Sequence, residues 1–153
     1  MPLVGIALGS NLGDRRFHLD SAVASLGEVL SGLRVSRIFE TEPVGVVGPQ
    51  GPFLNAAVAG AFGGTALELL ATLLTLEGQH GRERPHMGAA RTLDLDLIFF
   101  GEERVEEPGL VVPHPRFRER RFVLEPLAEV APDWRDPVTG LTIAELLARL
   151  LES

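Results

Sequence analysis

The run Asp94-Leu95-Asp96-Leu97-Ile98-Phe99-Phe100 restricts this chain more than any other stretch, because two acids are built into what otherwise reads as an apolar strand. Side chains alternate between the faces of a strand, so Asp94 and Asp96 share one face about 7 Å apart. A charge pair in such a run costs stability unless something compensates it. Two hard oxygen anions side by side suit Mg²⁺. Arg82, Arg84 and Arg91 precede the run in a loop rich in Pro, Gly and Ala, and guanidinium forks hold phosphate oxygens. Carboxylates, cation and arginines together point to phosphoryl chemistry on a nucleotide. A D-x-D pair is a weak signal alone, and its bland reading is a solvated strand start. The apolar company of Leu93, Leu95, Leu97 and Ile98 makes the metal the sharper reading.

The totals narrow the function classes. A chain of 153 residues is expected to be one domain, 1–153, with a core of its own. Apolar residues at 45% and a mean hydropathy of +0.17 exclude disorder. No apolar run approaches the ~20 residues of a membrane span, and the N-terminus lacks a signal-peptide pattern, so a cytoplasmic protein without membrane partners is expected. The absence of cysteine excludes disulfides, zinc thiolates and thiol catalysis. A net charge of −7 argues against nucleic-acid binding. All 14 basic residues are arginine. Without lysine, a Walker-type phosphate loop and Schiff-base chemistry are both closed.

In chain order, Leu3–Leu8 reads as a strand with Val4, Ile6 and Leu8 on one face and small residues opposite. Gly9 to Asp14 reads as a turn, and Leu19, Ala22, Val23, Leu26 and Leu30 recur at helical spacing. Leu33–Thr41 reads as a second strand, followed by a long Gly/Pro-rich loop from Glu42 to Pro52. Phe53–Phe62 is a third strand, with Phe53, Asn55 and Ala57 on one face. Phe53 beside Asn55 suits a flat heterocycle, through stacking and paired hydrogen bonds, although residues alone slightly favour a core Phe next to a turn-forming Asn. Thr65 and Glu68 have capping-box spacing at the start of a helix ending near Gly78, and the Asp94/Asp96 strand follows. The expected fold is therefore α+β: a ferredoxin-like β-α-β-β-α-β core, an antiparallel sheet with helices on one face. The remainder reads as an appendage: an extended segment from Leu110 to Pro115, an arginine-rich stretch from Arg116 to Phe122, and helices, the last of them with Ile143, Leu146, Leu147 and Leu150. Such a charge run is usually a solvated face, yet it is also what a polyanionic ligand needs.

The segments Ile6-Ala7-Leu8-Gly9-Ser10-Asn11-Leu12-Gly13, Phe53-Leu54-Asn55-Ala56-Ala57-Val58, Gly81-Arg82, Arg91-Thr92-Leu93-Asp94-Leu95-Asp96-Leu97-Ile98, Val112-Pro113-His114, and Arg120 with Phe122 together resemble one family. It is the 6-hydroxymethyl-7,8-dihydropterin pyrophosphokinase family of folate biosynthesis, and the resemblance runs along nearly the whole chain. It implies transfer of a pyrophosphoryl group from ATP to the pterin hydroxymethyl, with release of AMP. It also implies two Mg²⁺ on Asp94 and Asp96, with Arg82 and Arg91 joining them in catalysis. The pterin is expected between Phe53 and Phe122, its polar edge met by Asn55 and by backbone groups of Thr41, Pro43 and Val44. ATP is expected at Glu77, Arg82, Arg84, Arg91, His114 and Arg120. A monomer or weak homodimer is expected.

Met87, Gly88 and Pro115 stand where many members carry an aromatic, a basic residue and a tyrosine, and the loop reads one residue short. Weaker or differently ordered nucleotide binding is the expectation. Two rivals stand beside the resemblance: a D-x-D glycosyltransferase, which this strand order does not favour, and a ferredoxin-like binding module without catalysis.

Overall fold

In the computed structural model, residues 1–41, 52–80 and 92–152 are described. Strand β1 (Leu3–Ser10) pairs antiparallel on both sides, with β4 (Phe53–Ala61) and with β5 (Asp94–Phe100). β2 (Ser31–Val35) and β3 (Phe39–Thr41) both pair with β4, giving the sheet order β2-β4-β1-β5. With helices α1 (Arg15–Val29) and α2 (Ala66–Gln79), this is the expected ferredoxin-like arrangement. A hairpin, β6 (Val105–Glu107) and β7 (Leu110–Val112), precedes α3 (Arg121–Val130) and α4 (Ile143–Glu152).

The period-two pattern of β1 sorts the layers. Val4, Ile6 and Leu8 pack with Leu19, Leu26, Leu69 and Leu73 under α1 and α2. The opposite face offers Gly5, Ala7 and Gly9, small enough for something to approach closely. At Gly5 the neighbour is Phe99: a Cβ there would stand 2.3 Å from its Cε2. A register shift between Gly5 and Ile6 inserts one extra residue on β5, which lets Ile98 and Phe99 both face this second layer.

The expected second strand, Leu33–Thr41, is in fact two. Ser36 breaks it: its Oγ accepts from the Ala57 N–H at 2.8 Å while its own N–H donates to the Ala57 carbonyl. A side-chain oxygen thus takes one ladder position, and the pairing re-forms one residue out of step as β3. The capping boxes are both present, Thr65 with Glu68 and Thr142 with Glu145.

The C-terminal part is no appendage. Of the expected C-terminal helices, α3 has the weaker local signal, because arginines open it and Pro126 lies inside it, removing an N–H from the helical ladder. Its Val123, Leu124, Leu127 and Val130 nevertheless recur at helical spacing. They pack with Ala7, Ala57, Ala59, Ile98 and Phe99. Trp134 stacks on Phe99, with ring centroids 4.0 Å apart. The sheet is therefore covered on both faces, and this second covering ends before the strands do.

Candidate active site

The second apolar layer stops at Ala57 and Ala7. Past it, the antiparallel register lines up one further row across three strands: Asn55 opposite Gly9, and Gly9 opposite Asp94. In the row behind, Ala7 stands between Ala57 and Asp96. Phe53, Asn55, Gly9, Asp94 and Asp96 thus lie on one face, at the end that α3 leaves open. Adjacent strands are about 4.8 Å apart, so Asn55 and Asp94 are held roughly 10 Å apart by the sheet itself. Gly9 contributes no side chain between them and leaves a recess. Gly9 was read as a turn residue; it belongs to β1, and the turn residue with left-handed backbone is Gly13 at φ 72°.

One wall of the recess has a defined polarity. The Asn55 Nδ2 donates to the Thr41 hydroxyl at 2.6 Å. Its Oδ1 then lies toward Gly9, only 3.5 Å from where a Cβ on that glycine would stand. An acceptor is presented over the recess, with the half-buried Phe53 ring beside it. Thr41, expected to serve through its backbone, orients Asn55 through its side chain. Phe122, in the first turn of α3, is 38% exposed and has no ring contact with Phe53.

The other wall is charged. The His114 N–H donates to the Ile98 carbonyl at 2.7 Å, which ties the segment after β7 to β5. His114 Nδ1 accepts from the Arg116 N–H at 3.2 Å, so its proton sits on Nε2. Burial lowers the His114 pKa below its ordinary value; Arg120 and Arg116 lower it further, and Asp94 opposes them. His114, Arg120 and Asp94 therefore share one electrostatic neighbourhood.

The arginine run resolves into paired members and one exception. Arg116 pairs with Glu119, Arg118 with the buried Asp136, and Arg121 with Glu125. Arg120 instead lies over the Phe122 ring, 5.7 Å from its centroid. A solvated face accounts for most of this run; among the described residues Arg120 is the arginine whose charge acts most strongly on His114.

Glu77 is buried, and its Oε2 accepts from the Leu95 N–H at 2.7 Å, between the two aspartates. Its anomalous place in the last turn of α2 is explained by that bond, which fixes the strand carrying Asp94 and Asp96. Pro43, Val44, Arg82, Arg84, Arg91, Met87 and Gly88 lie outside the described residues. Among the described residues, no group of three or more His, Asp or Glu converges on one point. Two features escaped the sequence reading. The Gly9 recess was signalled by the small-residue alternation of β1, and a His18–His80 contact carried no local signal.

A protein-family model for 7,8-dihydro-6-hydroxymethylpterin-pyrophosphokinase matches residues 5–132. A Synechocystis 2-amino-4-hydroxy-6-hydroxymethyldihydropteridine pyrophosphokinase is 40% identical over 146 residues, covering 95% of this chain and 74% of that protein. The Bacillus subtilis protein of the same name is 46% identical over 127 residues, covering 82% and 75%. Among solved structures, Plasmodium falciparum HPPK-DHPS with pteroate superposes with a TM-score of 0.78 at 13% identity, a likeness of fold. This chain is covered to 98% there but spans only 44% of that longer protein. A match that takes in β1, the Phe53/Asn55 strand, the paired aspartates and His114 leaves no doubt of kinship: the chain belongs to the 7,8-dihydro-6-hydroxymethylpterin-pyrophosphokinase family.

Proposed function

We infer that residues 1–153 act as one Mg²⁺-dependent pyrophosphokinase domain of folate biosynthesis, transferring the pyrophosphoryl group of ATP to the hydroxymethyl of 6-hydroxymethyl-7,8-dihydropterin. The carrying observation is the single sheet face that holds Phe53, Asn55 and Gly9 at one side and Asp94 and Asp96 at the other. A flat ring settles in the Gly9 recess against Phe53, and Phe122 closes the site from α3. Asn55 Oδ1, turned to this side by Thr41, accepts from an N–H on the pterin edge. That edge carries ring N–H and amino donors, so acceptor meets donor.

Two half-buried carboxylates side by side on one strand face fit Mg²⁺. That ion takes one or two carboxylates and keeps sites for water and phosphate oxygens. Asp94 and Asp96 would hold it, and when bound it neutralises phosphate charge beside the acceptor hydroxyl. Arg120 and the Nε2–H of His114 donate to phosphate oxygens, with Arg82, Arg84 and Arg91 assigned to the same anion. The pterin hydroxymethyl oxygen bonds to the β-phosphorus, the bond from that phosphorus to the α-bridging oxygen breaks, and AMP leaves. The protein positions and stabilises charge rather than forming a covalent intermediate.

Phosphorus NMR of ATP, Mg²⁺, the reduced hydroxymethylpterin and the protein tests this directly. AMP with a new pterin diphosphate is expected. ADP would mean a simple phosphate kinase, and unchanged ATP with a folded protein would favour a binding module.

A further inference from the structure

Two histidines meet where the arginine-bearing segment begins. His18 on α1 and His80 at the C-cap of α2 bring their Nδ1 atoms to 2.6 Å, with rings edge-on and centroids 4.9 Å apart. Phe17 packs its ring against both. The His80 carbonyl accepts from the Thr92 hydroxyl. His80 and Thr92 are the two residues that flank 81–91, the stretch that carries Arg82, Arg84 and Arg91. One hydrogen bond thus joins the two feet of that stretch, and the histidine pair fastens the first foot to α1.

We propose that His18 is a positioning residue for the pyrophosphoryl transfer, acting through its Nδ1···Nδ1 hydrogen bond to His80. The proposal rests on the pyrophosphokinase reading and adds to it a residue outside the substrate contacts. Arginines that steady a phosphoryl group work only when held close to their target, and a 1 Å displacement costs about a hundredfold. His18 acts by fixing His80, the described residue that precedes them in the chain.

The contact has a built-in proton requirement. One proton must lie between the two Nδ1 atoms, so one ring donates and the other accepts. When both rings are fully protonated, two N–H groups face each other and the bond is lost. Among the described residues, the neighbouring charges on both helices are engaged elsewhere. On α1, Asp14 caps the Phe17 N–H, Arg15 donates to the Pro52 carbonyl, and Arg16 pairs with Asp20. On α2, Glu77 accepts from Leu95. Burial, and after it the neighbouring His18, lowers the His80 pKa below its ordinary value. A neutral His80 ring is therefore kept available for this hydrogen bond at neutral pH.

The test measures AMP formation across pH 5 to 8.5 for the wild type, His18→Ala and His18→Asn, with histidine tautomers read by long-range proton–nitrogen NMR. In the wild type, one ring of the pair is expected as the Nδ1–H tautomer and the other as Nε2–H. The titration of His80, lowered by burial, should coincide with an acid-side fall in kcat. His18→Ala is expected to lower kcat at pH 7.5 by about ten- to a hundredfold with the pterin KM little changed. Asparagine places an amide atom near the Nδ1 position without a titrating proton. His18→Asn should restore kcat and abolish the acid-side fall. Wild-type kcat and pH profile in His18→Ala would overturn the proposal, as would an unchanged acid-side fall in His18→Asn. Should His18→Ala not fold, two Nε2–H tautomers in the wild type would overturn it independently. A wild type that makes no AMP would sink the underlying pyrophosphokinase reading, whereas normal turnover with an indifferent His18 sinks only this inference.

Discussion

Two glycines on the same face of β1, four residues apart, should respond to the same substitution in opposite ways. At Gly5 an added methyl would lie 2.3 Å from Cε2 of Phe99 and 2.8 Å from its Cδ2 and Cζ. That ring is fully buried and backed by Trp134, so it has no room to retreat. Overpacking of this kind costs about 1–3 kcal/mol, and the depth of overlap puts Gly5→Ala at the upper end. At Gly9 the nearest atoms are Asn55 Oδ1 at 3.5 Å and Phe53 Cδ1 at 3.8 Å, ordinary contact distances. Replacing a glycine in compatible backbone by alanine removes unfolded-state freedom and stabilises by about 0.4–1 kcal/mol. Gly9→Ala should therefore fold as well as the wild type or better. The new methyl would nonetheless take the space in front of the one acceptor aimed at the recess. Losing a hydrogen bond there and leaving Oδ1 covered costs about 1–3 kcal/mol, or roughly 5- to 150-fold in pterin affinity at 1.4 kcal/mol per tenfold. Urea denaturation of both variants, with calorimetric titration of the pterin into Gly9→Ala, measures the two quantities separately. Wild-type pterin affinity in a well-folded Gly9→Ala would refute the recess as the pterin bed. A Gly5→Ala variant as stable as the wild type would refute the packing argument.

Asp94→Ala and Asp96→Ala should each lower turnover more than a hundredfold, and a chelator should silence the wild type until Mg²⁺ is restored; near-normal rates at saturating Mg²⁺ would remove the metal assignment. Arg120→Ala should raise the ATP KM about tenfold or more, whereas Arg121→Ala, which breaks only an exposed pair with Glu125, should leave it within about twofold. Asp136 is buried and accepts from Arg118 at 2.6 and 2.9 Å, from Thr139 at 2.8 Å and from Val138 at 3.1 Å. Asp136→Ala strands the Arg118 charge and should cost about 3–5 kcal/mol in urea denaturation. Burial pushes the Asp136 carboxyl up, but the bonds from Arg118, Thr139 and Val138 outweigh it, and its pKa lies below the ordinary value. Its contribution is therefore full above the unfolded pKa, about 3.9, and is lost as pH falls below it. The stability gap between wild type and Asp136→Ala should narrow below about pH 4.

Local chemistry was legible from residues alone. Alternation in β1 and β5 showed which side chains share a face, since the period of a strand is two whatever it pairs with. The two capping boxes could be read from three-residue spacings. Asp94 and Asp96 drew notice because charge in an apolar run needs a reason. The break at Ser36 was not legible, because it depends on Ala57, twenty-one residues away, bonding a side chain in place of backbone. The signal of α3 was weak as well, because its apolar stripe acquires meaning only against the Ala57 and Ala59 face it covers.

The sequence by itself determined what kinds of group this protein carries, in what order, and which belong to one face of one element. Only the tertiary structure decided that Asn55, Gly9 and Asp94 stand in one row, that three of four neighbouring arginines are spent on carboxylates while Arg120 lies over Phe122, and that His18 meets His80. The reason is physical. Periodicity and capping are short-range and act within a turn or a strand, whereas register and charge pairing join residues far apart in the chain and exist only once the sheet has closed.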